Sequence, residues 1–165
     1  MAEPTYNVLF LCTRNSARSI FAEALLNNLG QGRFQAFSAG SHPAGAVNPY
    51  AMELLQKNQL PIDKVRSKPS TEFTGAKSPR LDFLIVICDR VANECCPDLQ
   101  GYAATACWNI PDPVLVVGSE TNKRHAFLEA MNLLQRRISF LVCLPSEKLE
   151  RLRLQPSPCG LERPA

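Results

Sequence analysis

Residues 6 to 26, YNVLFLCTRNSARSIFAEALL, constrain the fold more tightly than any other stretch of the chain. From Tyr6 to Leu11 the residues are almost continuously apolar, over a span too short for an ordinary helix. Such a run suits a strand covered on both faces, as in the interior of a parallel sheet. Ser16 to Leu29 then places Ile20, Phe21, Ala24, Leu25 and Leu29 close to helical spacing, and Gly30 is a stop signal. Parallel strands need long crossover connections, usually helices, so this unit reads as strand, loop and returning helix.

The same alternation continues. Arg33 to Ala39 reads as a second strand, ending in the turn-rich Gly40-Ser-His-Pro-Ala-Gly45. Asn48 to Gln56 reads as a helix, with Asn48 as its cap and Pro49 in the first helical position. Residues 60 to 80, rich in Lys, Ser, Pro and Thr, read as a surface connection with one short helical turn. Asp82 to Cys88 (DFLIVIC) is the clearest strand, and Ala103 to Trp108 is a last short one before the loop Asn109-Ile-Pro-Asp-Pro113. Glu120 to Leu144 keeps Phe127, Met131, Leu134, Ile138 and Leu141 in helical register. The reading is one domain, residues 1 to 150, with a frayed tail from 151 to 165 that carries three prolines after Gln155. Strands alternating with helices imply a doubly wound parallel α/β sheet. Ligands bind such sheets beyond the carboxyl ends of the strands, and Cys12, Cys88 and the Asp112 loop all fall at such ends.

Cys12-Thr-Arg-Asn-Ser-Ala-Arg18 has the form Cys-x5-Arg, followed by Ser19. A short loop between strand and helix can turn the backbone N–H groups of Thr13, Arg14, Asn15, Ser16 and Ala17 toward one tetrahedral oxyanion. The helix N-terminus adds partial positive charge, and the planar fork of Arg18 can bridge two oxyanion oxygens. Surroundings of this kind favour a nucleophilic thiolate, to which Ser19 can donate a hydrogen bond. A cysteine that merely ends a buried strand is the common alternative. Arg18 at this spacing tips the balance toward a nucleophile. Asp112, between Pro111 and Pro113, sits where a stiffened loop can aim a carboxyl at the anion.

The remaining composition excludes several functions. Net charge is only +3, with no basic patch interleaved with aromatics, so nucleic acid is not a partner. No apolar run approaches the roughly 20 residues of a membrane helix, and Met-Ala-Glu-Pro-Thr-Tyr lacks the features of a signal peptide. The expectation is a cytoplasmic protein. There, seven cysteines point to catalysis, redox chemistry or metal rather than structural crosslinks. Cys88, Cys95 and Cys96 lack the paired ligand spacing of structural zinc, so no metal is expected. Cys107 and Cys143 are expected to be buried, inert packing residues, Cys159 a bystander, and His42 and His125 surface or loop residues.

The segments VLFLCTRNSARS…AEALL, SAGSHPAG, CDRVANECCP and WNIPDP, in this order, resemble the arsenate reductases built on the low-molecular-weight tyrosine phosphatase fold. The resemblance spans about residues 6 to 145. It implies a four-stranded parallel sheet flanked by helices, with the anion loop at its C-terminal edge. It also implies a three-thiol relay for arsenic detoxification. Cys12 attacks arsenate while Asp112 protonates the departing oxygen, Cys88 then attacks Cys12 and releases arsenite, and Cys96 takes over Cys88. Cys95 beside Cys96 leaves the identity of the resolving thiol open. No tightly bound cofactor is implied. Thioredoxin is the implied electron donor, with glutathione or another small thiol as the alternative. Two departures stand out. Related loops commonly have glycine where this chain has Arg14, and a left-handed backbone there would strain Arg14 by about 1–3 kcal/mol. Val114 also stands where the phosphatases usually have an aromatic residue, which favours a small inorganic anion. The rival functions are a tyrosine phosphatase using Cys12, Arg18 and Asp112 alone, and a non-catalytic oxyanion or thiol sensor.

Overall fold

Each apolar run named above forms a strand, and the periodic stretches form helices. The computed structural model describes residues 3–91 and 105–154. In chain order the elements are β1 (Tyr6–Cys12), α1 (Arg18–Leu29), β2 (Phe34–Gly40), α2 (Pro49–Lys57), β3 (Phe83–Cys88), β4 (Ala106–Asn109), α3 (Glu120–Val142) and α4 (Ser146–Leu154). Two 3-10 turns, Ser70–Phe73 and Pro113–Leu115, precede β3 and follow β4. The strands form one parallel sheet in the order β2-β1-β3-β4, the four-stranded α/β architecture expected from the sequence.

That order fixes where a ligand can bind. From β1 the chain moves outward to β2 and later returns to place β3 on the other side of β1. The crevice at such a reversal opens beyond the carboxyl ends of the two central strands. Those ends are Cys12 and Cys88.

Successive side chains of a strand point to opposite faces, and the two faces are filled differently here. Tyr6, Val8, Phe10 and Cys12 of β1 join Phe83, Ile85 and Ile87 of β3 in the main core, under α1, α2 and α3. Leu9, Leu11, Leu84 and Val86 meet Phe73 and Leu81 on the other face. Asn48 caps α2 as expected, its side chain accepting from the Tyr50 N–H at 2.9 Å. The Arg33 guanidinium donates to the carbonyl of Val142, the last residue of α3, at 2.9 Å and to that of Leu144 just beyond it at 3.0 Å, satisfying groups left open by the end of the helix.

Two parts of the chain depart from the sequence reading. Residues 146–154 form α4, an element the sequence pattern did not reveal. Its Leu149 is fully buried, and Glu150 accepts the Tyr6 hydroxyl at 3.0 Å. The connection between α2 and β3 has the expected short turn, yet it also sends Lys68 and Phe73 into the interior. No helix among the described residues is long and apolar enough to cross a membrane.

Candidate active site

The loop from Cys12 to Ala17 is shaped by its carbonyl groups. Those of Cys12, Thr13, Arg14 and Ser16 accept from the backbone N–H groups of Ser41, His42, Ala44 and Asn48, at 2.8–3.1 Å. In a planar trans peptide the next residue's N–H points opposite to the carbonyl. With these carbonyls held by the segment after β2, the N–H groups of Thr13, Arg14, Asn15 and Ala17 turn to the inner side of the loop. The Asn15 N–H demonstrates the geometry, reaching the Cys12 Sγ at 3.2 Å. Such a ring of amides is an anion-binding nest.

Asn15 makes the turn possible. It holds a left-handed φ of 49°, which asparagine tolerates better than most residues. Its buried side chain donates to the Ser19 Oγ at 2.7 Å and accepts the Lys68 N–H at 2.9 Å. Arg14, where the strain was anticipated, is exposed and has no positive φ. The strained position lies one residue later and is filled by a residue suited to it. Gly40, paired with Cys12 in the β1–β2 register, lets β2 approach: a Cβ there would lie 2.7 Å from the Thr13 carbonyl oxygen.

The chemistry-bearing side chains converge beside this loop. Cys12, 2% exposed, sits 2.9 Å from the Ser19 Oγ. Arg18 opens α1, where Ala17 offers no side-chain cap to the first-turn N–H groups. Its guanidinium is buried, donating to the Ile110 carbonyl at 3.1 Å and lying 3.2 Å from the Asp112 Oδ2. Asp112 in turn accepts the Val114 N–H at 3.0 Å, which fixes the carboxylate at the head of the second turn. Its own N–H donates to the Asp89 Oδ2 at 3.4 Å. Thus Cys12, Arg18, Ser19 and Asp112, spread over 100 residues, share one rim.

Cys88 ends β3 on that rim and is fully buried. It follows Leu84 and Val86 in the strand's alternation, which leads to the face opposite Cys12. Cys95 and Cys96 lie outside the described residues. Cys107 corrects the expectation of inert packing: it is half-buried in β4 and disulfide-bonded. Cys143 is exposed at the end of α3 rather than buried. His42 and His125 are exposed as expected, and His42 serves the loop through its backbone.

A buried ionic group supports the loop from behind, and sequence reasoning missed it. Glu23 accepts the Ser38 hydroxyl at 2.9 Å, and the Lys68 Nζ lies 3.9 Å from its other carboxylate oxygen. The same ammonium donates to the Arg66 carbonyl at 3.1 Å, while the Lys68 backbone holds Asn15. Burial pushes the Glu23 carboxyl up from its ordinary range, only partly opposed by Lys68 and Ser38. Burial likewise pushes the Lys68 ammonium down, against the attraction of Glu23. Among the described residues no cluster of three or more His, Cys, Asp or Glu could hold a metal ion.

A strand-ending cysteine beneath a loop of inward-turned amides, with an arginine and an aspartate beside it, has the geometry that an oxyanion site on a parallel α/β sheet requires. Residues 7–153 match the low molecular weight phosphotyrosine protein phosphatase family, to which the chain belongs. The arsenate reductase of Oceanobacillus iheyensis is 27% identical over 131 residues, covering 79% of this chain and 91% of that protein. A solved arsenate reductase in the phosphate binding state superposes with a TM-score of 0.66 at 25% identity, over 84% of this chain and 97% of the other. The thioredoxin-dependent arsenate reductase of Corynebacterium glutamicum gives 0.60, also at 25% identity, over 92% and 65% respectively.

Proposed function

We propose that this protein reduces arsenate to arsenite, using Cys12 as nucleophile and Cys88 as the thiol that completes the reduction. The observation that supports the reading is that Cys12 and Cys88 end the two central strands, on the rim that bears the amide loop. A hydrolase of this family type needs only the first.

In the first step the Cys12 thiolate attacks arsenic, forming an S–As bond, and an oxygen leaves with a proton supplied by Asp112. Arg18 and the amides of residues 13–17 hold the remaining oxygens, and Ser19 steadies the sulfur. For Asp112 to act, its carboxyl must leave Arg18 as the anion takes that guanidinium over. In the second step the Cys88 thiolate attacks the Cys12 sulfur. The S–As bond breaks, its electron pair stays on arsenic, and As(V) becomes As(III). Because the alternation of β3 directs Cys88 away from Cys12, the end of that strand must rotate for in-line attack. In the third step Cys96, or Cys95 beside it, attacks Cys88 and frees Cys12. An external dithiol of the thioredoxin type then reduces the resulting disulfide.

Val114 supports a small inorganic substrate. It is half-buried against the main core, so no aromatic wall stands at this position to receive a phosphotyrosine ring. The phosphatase reading keeps Cys12, Arg18 and Asp112 and assigns nothing to Cys88. Arsenate-dependent NADPH oxidation with thioredoxin and thioredoxin reductase separates the two. The reductase reading expects turnover that is lost in both Cys12→Ser and Cys88→Ser. Hydrolysis of an aryl phosphate that survives Cys88→Ser, with no arsenate reduction by the native chain, would establish the phosphatase. A sensor would do neither.

A further inference from the structure

The end of β3 and the Asp112 loop are strapped together. Three hydrogen bonds join them. The Ile110 N–H donates to the Cys88 carbonyl at 2.9 Å, and the Arg90 N–H donates to the Asn109 Oδ1 at 3.0 Å. The Asp112 N–H donates to the Asp89 Oδ2 at 3.4 Å, while the Asp89 Oδ1 accepts the Val91 N–H at 3.0 Å. One carboxylate therefore braces both the residues that follow Cys88 and the backbone of Asp112. Asn109 is exposed and Asp89 only half-buried, so neither side chain is needed to fill the core.

We propose that Asp89 is a positioning residue, a clasp that holds the Cys88 end of β3 in place while Asp112 serves the first step and lets it go for the second. The inference rests on the reductase reading above. The two steps ask opposite things of this segment. Proton transfer from Asp112 needs its loop held, whereas attack by Cys88 needs the strand end to turn toward Cys12. Before arsenate arrives, the clasp also keeps an oxidant from joining the two thiols.

The order of release follows from the geometry. Pro111 and Pro113 fix their own φ and hold Ile110 and Asp112, which precede them, to extended backbone. Asp112 has φ −79° and ψ 110° accordingly. A loop so restricted shifts as one piece. When the anion takes over the Arg18 guanidinium, the Asp112 carboxyl leaves a partner now 3.2 Å away, and its backbone follows. The Asp112–Asp89 bond is the longest of the three and lies beyond the usual range of about 2.7–3.2 Å, so it breaks first. Its loss loosens the residues next to Cys88. The acid step thus releases the thiol of the step that follows.

The test compares two routes to the same Cys12–Cys88 bond in a full chain carrying Cys95→Ser and Cys96→Ser, reduced and freed of reductant. Arsenate needs both Asp112 and the rotation of β3. Diamide needs only the rotation, since it takes two electrons and two protons from the thiols as they join. Peptide mapping times the bond in each case. Asp89→Ala should speed the diamide reaction about fivefold or more, the effect of losing one ordinary hydrogen bond, yet slow the arsenate reaction about threefold or more. Asn109→Ala should speed the diamide reaction without slowing the arsenate reaction, because it leaves the Asp89–Asp112 bond in place. Asp89→Asn, which removes the charge but keeps an acceptor oxygen, should accelerate diamide less than Asp89→Ala does. The exposed Asp63→Ala should match the parent in both. Equal acceleration in Asp89→Asn and Asp89→Ala would assign the effect to charge, and Asp89→Ala rates that fall together, rise together or stay unchanged would remove the coupling. Any of these overturns the proposal and leaves the reductase reading standing. A parent chain that releases no arsenite would refute that reading, and this inference with it.

Discussion

Replacing Gly40 by alanine should damage the active site far more than it damages the fold. The added Cβ would lie 2.7 Å from the Thr13 carbonyl oxygen, 3.1 Å from the Arg14 carbonyl carbon and 3.1 Å from the Asn15 Cβ. Ordinary contact begins near 3.4 Å, so the Thr13 carbonyl must retreat by about 0.7 Å. It cannot do so alone, because the His42 N–H holds it at 2.8 Å. The displacement passes through the rigid peptide plane to the Arg14 N–H on the inner side of the loop. Misplacing a reacting group by 1 Å costs on the order of a hundredfold in rate. We therefore expect kcat/KM for arsenate to fall about ten- to hundredfold, or about 1.4–2.7 kcal/mol of transition-state stabilisation. Overpacking should cost about 1–3 kcal/mol of stability, read from urea unfolding. Gly75→Ala is the control, since nothing lies within 4 Å of a Cβ there. The steady-state assay is coupled arsenate reduction at 25 °C. Native kcat/KM in Gly40→Ala, or an equal loss in Gly75→Ala, would refute the argument that this close approach shapes the loop.

The Asn15 position invites a graded test: Asn15→Gly keeps the left-handed backbone but loses two side-chain hydrogen bonds, whereas Asn15→Ala also adds strain. Unfolding should show Ala less stable than Gly by about 1 kcal/mol, with both below the native chain; equal stability would contradict the strain argument. Lys68→Met strands the buried Glu23 carboxylate and should cost about 3–5 kcal/mol, most of it recovered by adding Glu23→Gln; a double variant as unstable as the single would refute the pairing. Because burial raises the Glu23 carboxyl in the folded protein, its stabilising share is complete below the ordinary carboxylate value of 4.5 and is lost as pH rises through the raised native value. The stability of the native chain relative to Glu23→Gln should therefore fall as pH climbs above 4.5, and a rise in urea-midpoint difference over that window would reverse the sign. Arg18→Lys keeps the charge but loses the planar fork, so kcat/KM should drop at least tenfold; unchanged kinetics would show that Arg18 acts as a point charge.

What the sequence discloses here is mostly what depends on local pattern. The run DFLIVIC, the helical spacing of Phe127 to Leu141, and the Asn48-Pro49 start all correspond to observed elements. The strand-ending positions of Cys12 and Cys88 followed from the same pattern. Features fixed by distant partners stayed hidden. Lysine in a Lys-Ser-Pro-Thr stretch signals solvent, yet Lys68 is buried because Glu23 and Ser38, far away in the chain, receive it. Helix α1 buries Arg18, Ser19 and Glu23, the residues an amphipathic reading assigns to water, because it serves the site as well as the core. The charged segment 146–154 carries little apolar periodicity, and only Leu149 and the Tyr6–Glu150 bond reveal why it docks. Which loop residue turns left-handed, and whether Cys107 is inert, depend on tertiary context that no window of sequence contains.

The direct test of thiol transfer to arsenic uses a chain carrying Cys95→Ser and Cys96→Ser together, so that neither candidate resolving thiol can take the disulfide from Cys88. Reduced, freed of reductant and given arsenate, this chain should release one arsenite and yield a Cys12–Cys88 disulfide in the peptide map. Aryl phosphate hydrolysis with both cysteines still free thiols and no arsenite released would contradict the account at its root.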